Sequence, residues 1–410
     1  MSDCEPEAGR RRQAYAGWHY GLGLLAVYVV VVGLLEVKLW RPGTVFDGST
    51  NCQIAEAQSW WNGRLDLTER AWDTASIDGR TYSHFPLMFT LLSAVVVPFC
   101  DGVPYWLMLL VVGIIPLLAY VLFHRLSRSP MAATLLAVGL VCGTSMWPVI
   151  SKALWTASPY FVNHVLACVG LLILLVELFG RQRVWVAGIG LLVATLSRQL
   201  TIAFAIPLIW MAFRQPEAPR RRRQVGALAV VGLIVVGVPA VANTVKFGHP
   251  LNTGYMAIYE GRDEPFARDA QEHGLFSAHF VPRNLWYMNL GFPKLYRIEM
   301  AGETEYHLQP NITGTGIWWT TPLLLWLFFD FRRILRDGAS RLLLVAAVIV
   351  FVALMFFHTT GAEQRGFNRF SLDFLPVLLA LVGLECLDAK RRWLSFAMVS
   401  WSVVYFRWLI

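Results

Sequence analysis

Seven side chains at the edges of apolar runs have types suited to chemistry: Asp47, Tyr82, His84, Arg198, His249, Arg365 and Arg369. Asp47 stands in Thr44-Val-Phe-Asp-Gly-Ser-Thr50, just after the first apolar run. A carboxylate near the lipid headgroups can take a proton from a hydroxyl or hold a cation, and the plain alternative is a solvated loop acid. Tyr82 and His84 belong to Asp78-Gly-Arg-Thr-Tyr-Ser-His-Phe-Pro86, which delivers both to the bilayer surface. There an imidazole can meet a phosphate, or merely snorkel at the interface. Arg198 lies in Leu196-Ser-Arg-Gln199, and Arg365 and Arg369 in Gln364-Arg-Gly-Phe-Asn-Arg-Phe-Ser-Leu-Asp373. Arginine at membrane depth is costly and has a partner or a task. The three could clamp a phosphate or pyrophosphate, whose oxygens match the planar guanidinium fork, or each could pair with a loop carboxylate such as Glu363 or Asp373.

The elements that must position these groups are membrane helices. The chain is 56% hydrophobic and 15% charged, with a mean hydropathy of +0.51, whereas soluble domains carry about 25% charged residues. A spanning helix needs about 20 mostly apolar residues, because in lipid the backbone must satisfy its own hydrogen bonds. Such runs cover 21–39, 103–123, 131–150, 160–176, 225–242, 317–329, 342–357, 374–384 and 393–410, and two shorter ones, 184–196 and 200–213, flank Arg198. The expected fold is an all-α integral membrane protein of about ten to twelve crossings, one multi-pass domain over 1–410 with external loops at 40–84 and 244–316.

Charge orients it. Arg10 to Arg12, Arg125 and Arg128, Arg181 and Arg183, Arg214 and Arg220 to Arg223, Arg332, Arg333 and Arg336, and Lys390 to Arg392 fill short loops. Short basic loops mark the cytoplasmic side, so the N-terminus is expected inside. The loop at 40–84 carries Asp47, Glu56, Asp66, Glu69, Asp73 and Asp78, and the loop at 244–316 is also net acidic; both belong outside. This pattern assigns the formal net charge of +8 to topology and not to nucleic acid. The first run lacks a cleavage site and suits a signal anchor. Parity then reads 85–99 as re-entrant or embedded, the alternative being that it crosses and one weak charge signal is violated, and 184–213 as two half-spans with Arg198 near the outer surface. The six Cys lack metal-type spacing and read as small packing residues.

Within the first loop, Thr50 with Gln53 fits a capping box and Gly63 a helix stop, predicting a helix over 51–62 that Trp60 and Trp61 lay along the membrane surface. Asp78-Gly79 signals a turn between two extended pieces, and Pro86 suits the first position of the next helix. The second loop, rich in Gly, Pro and aromatics, reads as an ordered cap.

The order of these features resembles the GT-C superfamily of membrane glycosyltransferases, which transfer sugars from polyprenyl-phosphate donors. The likeness rests on Phe46-Asp47-Gly48 after the first span, on Asp78 to Pro86 leading into the next apolar segment, on Leu196-Ser-Arg-Gln199 between half-spans, on Phe247-Gly-His-Pro-Leu-Asn-Thr-Gly-Tyr255, and on Gln364 to Pro376 opening a late span. It departs from the family pattern in placing Gly48 where a second acid is common and a single Pro86 where two prolines are usual. The resemblance implies Asp47 as the base that activates the acceptor and Arg198, Arg365 and Arg369 as holders of the lipid phosphate, with His84 and His249 as lesser candidates. It implies a polyprenyl-phosphate sugar donor, a glycan, lipid or protein acceptor, and an outer face of a bacterial inner membrane as the place of work. No cofactor is implied, and a divalent cation, Mg or Mn, stays open because the scattered acids do not define a metal site. A transporter or flippase would call for inverted repeats and mid-bilayer charges, which the sequence does not display; a non-catalytic membrane scaffold would tolerate loss of Asp47.

Overall fold

The computed structural model describes residues 5–68, 73–300, 303–311, 313–361, 366–384 and 391–409, so Arg365, Glu363 and Lys390 lie outside the described residues. The first helices are α1 (Glu5–Leu34), α2 (Cys52–Trp61), α3 (Met88–Cys100), α4 (Tyr105–Ser127), α5 (Pro130–Cys142) and α6 (Met146–Thr156). A central group follows: α7 (Pro159–Leu178), α8 (Val184–Ser197), α9 (Ala205–Phe213) and α10 (Ala218–Phe247). Then come α11 (Pro265–His273), α12 (Val281–Leu285), α13 (Ile317–Thr320), α14 (Trp326–Arg336), α15 (Gly338–Phe356), α16 (Leu375–Gly383) and α17 (Arg392–Val404). The strands β1 (Val45–Phe46), β2 (Ala75–Ile77), β3 (Arg80–Tyr82), β4 (Val103–Pro104), β5 (Lys294–Met300) and β6 (Glu303–Gln309) form three two-stranded ladders. The chain is an all-α membrane protein, as its hydropathy requires.

Among the described residues four helices, α4, α7, α10 and α15, are each long and apolar enough to cross a bilayer, and α5 with α6 make a fifth span bent by 56°. Several apolar runs that read as single spans are broken. The run 131–150 is interrupted at Gly143, and 317–329 is cut at Thr321 into α13, a 3-10 turn (Pro322–Leu325) and α14. The two breaks meet inside the bundle, where the Thr321 hydroxyl donates to the Gly143 carbonyl at 3.1 Å. Irregular backbone is tolerated at membrane depth only where protein supplies such partners, and a hydropathy pattern does not reveal them.

At the centre stands α7, with 89% of its apolar window buried, whereas α10 has 6% of its window buried and presents its apolar side chains to the surroundings. The tightest helix pair is α7 with α8. A Cβ on Gly170 would lie 2.5 Å from the Gly190 carbonyl and 2.5 Å from the Ala194 amide, so the two backbones touch there. Small residues permit this approach in a membrane, where packing and not water exclusion drives association. From that contact His164 on α7 and the end of α8 at Ser197 are each about 10 Å along their helices towards the same end of the bundle.

The first loop is ordered around α2. Asn51, and not Thr50, caps the helix by accepting from the Gln53 amide. The expected capping box is absent because the Gln53 side chain turns inward and donates to the Pro86 carbonyl and reaches Asn163. Rather than resting on a surface, α2 packs against α3 and buries Glu56 completely. Glu56 accepts from the Thr90 hydroxyl at 2.7 Å and is paired with Lys246 at the end of α10. Pro86 sits ahead of α3, whose first residue is Met88. Asp78 and Gly79 both take positive φ, 50° and 74°, in the tight turn joining β2 to β3.

The segment α3 starts beside Gln53 and ends at Asp101, whose carbonyl accepts from Gln58; Val103 then pairs with Phe46 in β1. Both ends of α3 are thus tied to the first loop. At the other end of the bundle the basic segments gather: Arg125 donates to the Val176 carbonyl, Arg183 pairs with Glu177, and Arg391 pairs with Asp330 at 2.7 Å.

The glycine contact generates a test. Gly170→Ala is expected to lower stability by about 1–3 kcal/mol, the usual range for overpacking, while Gly226→Ala, where a Cβ meets nothing within 4 Å, leaves the thermal midpoint in detergent unchanged or higher. Equal midpoints for the two variants would refute the backbone contact.

Candidate functional site

Helix α8 stops at Ser197 because Arg198 adopts an extended backbone, φ −145° and ψ 100°, before a 3-10 turn over Gln199–Phe204. The break aims Arg198 at a second 3-10 turn, Arg369–Asp373, which the Asn368 side chain caps by accepting from the Ser371 amide. Arg198 Nε donates to Asp373 Oδ1 at 3.0 Å and Nη2 to Oδ2 at 2.8 Å. His164 Nδ1 on α7 stands 3.3 Å from Asp373 Oδ1. Asp373 is 1% exposed. Burial, the largest single influence, raises its carboxyl, but Arg198 and His164 together outweigh it and hold the group below the ordinary carboxylate range. Arg198 Nη1 makes no hydrogen bond among the described residues. The carboxylate-pairing alternative is therefore what Arg198 does with one edge of its fork.

Arg369 lies across three rings, 5.2 Å from the centroids of Tyr160 and Phe370 and 5.8 Å from Phe161. Stacking fixes the orientation of a guanidinium plane. Arg198, Arg369, His84, Asn163, His164 and Gln199 line a cavity of about 160 Å³. A larger cavity, about 630 Å³, shares Tyr160, Tyr255 and Arg369 with the first and adds Asp73, Lys152, Arg262 and Glu264 among aromatic rings. Asp73 is paired with Arg262 at 3.0 Å. Arg369 is thus on the boundary between a small chamber that holds two arginines and a wide amphipathic one. The arrangement suits an anion in the first and a polar, ring-stacking ligand such as a sugar in the second.

His84 packs between Phe85 and Tyr255, with ring centroids at 4.2 and 4.8 Å. Among the described residues neither of its ring nitrogens has a close hydrogen-bond partner. Burial pushes its pKa down to about 3, so the ring is neutral at physiological pH and can donate to an anion from one nitrogen. Tyr82 faces away, packed on Phe247 at 5.9 Å in a small satellite core. His249 is exposed and accepts from the Leu251 amide at 3.2 Å, a turn contact and not a site contact.

Asp47 is exposed and lines neither cavity. The Ser49 hydroxyl donates to its Oδ1 at 2.6 Å and the Ser49 amide at 3.0 Å. These bonds hold the carboxyl below its ordinary value. Four residues on, Asn51 donates to the Ala157 carbonyl, between Thr156 and Ser158 on the rim of the larger cavity. The sequence reading missed His164, Asn163, Asp373 as a structural centre, and the Glu56 and Lys246 pair. The available signal for the first two was a polar pair within the apolar run of α7, since such residues rarely face lipid. Among the described residues no group of three His, Cys, Asp or Glu could hold a metal ion.

No family profile and no curated protein matches the chain. Among solved structures it is similar to the Archaeoglobus fulgidus oligosaccharyltransferase in the apo form, with 12% identity, 96% of this chain and 55% of that chain covered, and a TM-score of 0.50. The same enzyme tethered with an acceptor peptide containing the NVT sequon gives 14% identity, 96% and 54% coverage, and a TM-score of 0.51. The chain shares the fold of that oligosaccharyltransferase. It spans a little over half the length of that oligosaccharyltransferase. ArnT from Cupriavidus metallidurans bound to undecaprenyl phosphate is a weaker structural match, with 15% identity, 92% of this chain and 62% of that chain covered, and a TM-score of 0.47.

Two buried imidazoles outside the spans predict an acid-side loss of stability. Burial lowers His84 to about 3 and His358 to about 4, whereas the unfolded chain takes up these protons near pH 6.5. The unfolded state therefore binds more protons below pH 6.5, and stability falls as the pH drops towards 4, by about 1.4 kcal/mol per group per unit. Above pH 7 neither contributes a slope. In detergent, His84→Gln should show a shallower decline of the unfolding midpoint between pH 6.5 and 4 than the wild type; an identical decline would contradict the buried neutral state.

Proposed function

We propose that this protein transfers a sugar from a polyprenyl-phosphate donor to an acceptor on the outer, non-cytoplasmic face of the membrane. The observation that carries the reading is the junction at Arg369, where a small cationic cavity meets a wide aromatic one. Its position at one end of a fold shared with an oligosaccharyltransferase supports the same reading.

In this reading the lipid phosphate enters the smaller cavity, where Arg369 and the unused Nη1 of Arg198 face it and neutral His84 donates to it. The acceptor occupies the larger cavity, stacked on its rings. As the acceptor oxygen or nitrogen bonds to the anomeric carbon, the bond from that carbon to the phosphate oxygen breaks. The phosphate leaves with the electron pair, and the guanidinium groups stabilise the charge that develops. Asp47, ionised at neutral pH, takes the acceptor proton. The first loop, anchored through Asn51 beside the cavity rim, is the element that would bring Asp47 to the acceptor. A second acid, Asp73, already lines the larger cavity but is engaged with Arg262, which suits a structural role better than proton transfer. His249 and Tyr82 have no part in this scheme.

The test is transfer of labelled sugar from polyprenyl-phosphate donors by the purified protein in liposomes. Asp47→Asn should slow transfer at least about a hundredfold, the size expected for a lost general base, with donor binding retained, and Asp73→Asn should leave measurable transfer. Arg369→Gln should weaken donor binding. Wild-type rates in Asp47→Asn would move the base assignment elsewhere, and no transfer from any polyprenyl donor would overturn the glycosyltransferase reading.

A further inference from the structure

The end of the bundle opposite the site carries a cavity of about 370 Å³ between α8 and α10, lined by Arg183, Val184, Trp185, Arg220, Arg223, Gln224 and Ala227. Its location follows from the two helices. Arg198 and the candidate site are at the other end of α8, about 20 Å away. Lys246, which grips Glu56 of the first loop, is at the other end of α10, about 40 Å away. The helices close on each other above the cavity, where a Cβ on Gly188 would stand 3.0 Å from Val231.

Its chemistry is one-sided. No acidic side chain is among the lining residues. Arg183 is held by Glu177, with Nε at 3.0 Å and Nη2 at 2.5 Å from the carboxylate, which fixes its orientation and partly spends its charge. Arg220 and Arg223 are one turn apart on the first turns of α10, exposed on their outer sides, and Gln224 Oε1 is buried without a hydrogen-bond partner. In sequence Arg181 is two positions from Arg183, and the stretch 214–223 also holds Arg214, Arg221 and Arg222 with a single acid, Glu217. Below this basic mouth the walls turn apolar: Trp185 and Ile189 on α8 are 58% and 47% exposed, and Val230 and Leu233 on α10 are 57% and 74% exposed.

We propose that this cavity binds the phosphodiester headgroup of an anionic phospholipid, with its acyl chains lying along the exposed apolar strip of α8 and α10. A basic pocket between helix ends suits a phosphate, each arginine near the surface adding attraction of about 1 kcal/mol. The apolar strip directly beneath it is what distinguishes a lipid from a free phosphate ion, which has no use for Trp185 or Ile189. Trp185 is the second residue of α8, close to Arg183, a place that suits the headgroup boundary which indoles favour. The site is separate from the cavities at the outer end and does not depend on the function proposed for them.

The test is lipid binding to the full chain in detergent, followed by native mass spectrometry. The probes are phosphatidylglycerol, phosphatidylcholine with the same acyl chains, and inorganic phosphate as competitor. The expected result is one tightly held phosphatidylglycerol, preferred over phosphatidylcholine, and a loss of about tenfold or more in its affinity in the double variant Arg220→Gln, Arg223→Gln. Arg220→Lys, Arg223→Lys should retain most of the binding, and all variants should unfold at the wild-type temperature without lipid. Equal binding of the two lipids, or undiminished phosphatidylglycerol binding in the glutamine variant, would overturn the proposal. Displacement of the lipid by millimolar inorganic phosphate would assign the site to a free anion instead.

Discussion

The pairing of Arg198 with the buried carboxylate of Asp373 fixes where the principal elements meet. A charge removed from water is tolerated only when it is paired and hydrogen-bonded. Here the partner comes from the break in α8, and His164 closes the other side from α7. The turn before α16, the broken end of α8 and the central helix are therefore held to one point. Because α7 and α8 touch backbone to backbone at Gly170 and Gly190, their relative register is not adjustable. Everything that lines the smaller cavity inherits that register.

Around this point the bundle satisfies the polar groups that membrane burial would otherwise strand. At the break between α5 and α6 the Gly143 carbonyl accepts a hydrogen bond from the Thr321 hydroxyl of the other broken stretch. Lys246 donates to the Ser83 carbonyl and pairs with Glu56, so the end of α10 is bound to both halves of the first loop. That tie keeps His84, next to Ser83, beside the cavity. The part of the first loop around Glu56 and Ser83 is thereby held to the helix beneath it.

Much of this was legible in the chain. Hydropathy and charge asymmetry give the membrane class and the separation of a basic end from a polar, aromatic one, because both are properties of local composition. The break at Arg198 was visible as a polar triplet between two short apolar runs, and the turn at Asp78 and Gly79 from their tolerance of positive φ. What stayed hidden depends on contacts between distant segments. Lys246 and Ser83 are 163 positions apart, and nothing in either neighbourhood announces the other. His164 was lost inside a run whose average hydropathy says only that it spans. Tyr82 was attractive from its neighbours, but the alternation of β3 turns it onto Phe247. The capping box at Thr50 failed because Gln53 had a stronger use inside the protein.

The central claim is that the chamber formed by Arg198, Arg369 and His84 receives the phosphate of a polyprenyl carrier. The most direct measurement is a cryo-electron microscopy structure of the full chain with polyprenyl phosphate bound. The account predicts phosphate density within hydrogen-bond distance, about 3 Å, of Arg198 Nη1 and of the Arg369 guanidinium, with the prenyl chain leaving between helices towards the lipid. Phosphate density at any other place, with this chamber unaltered, would contradict it.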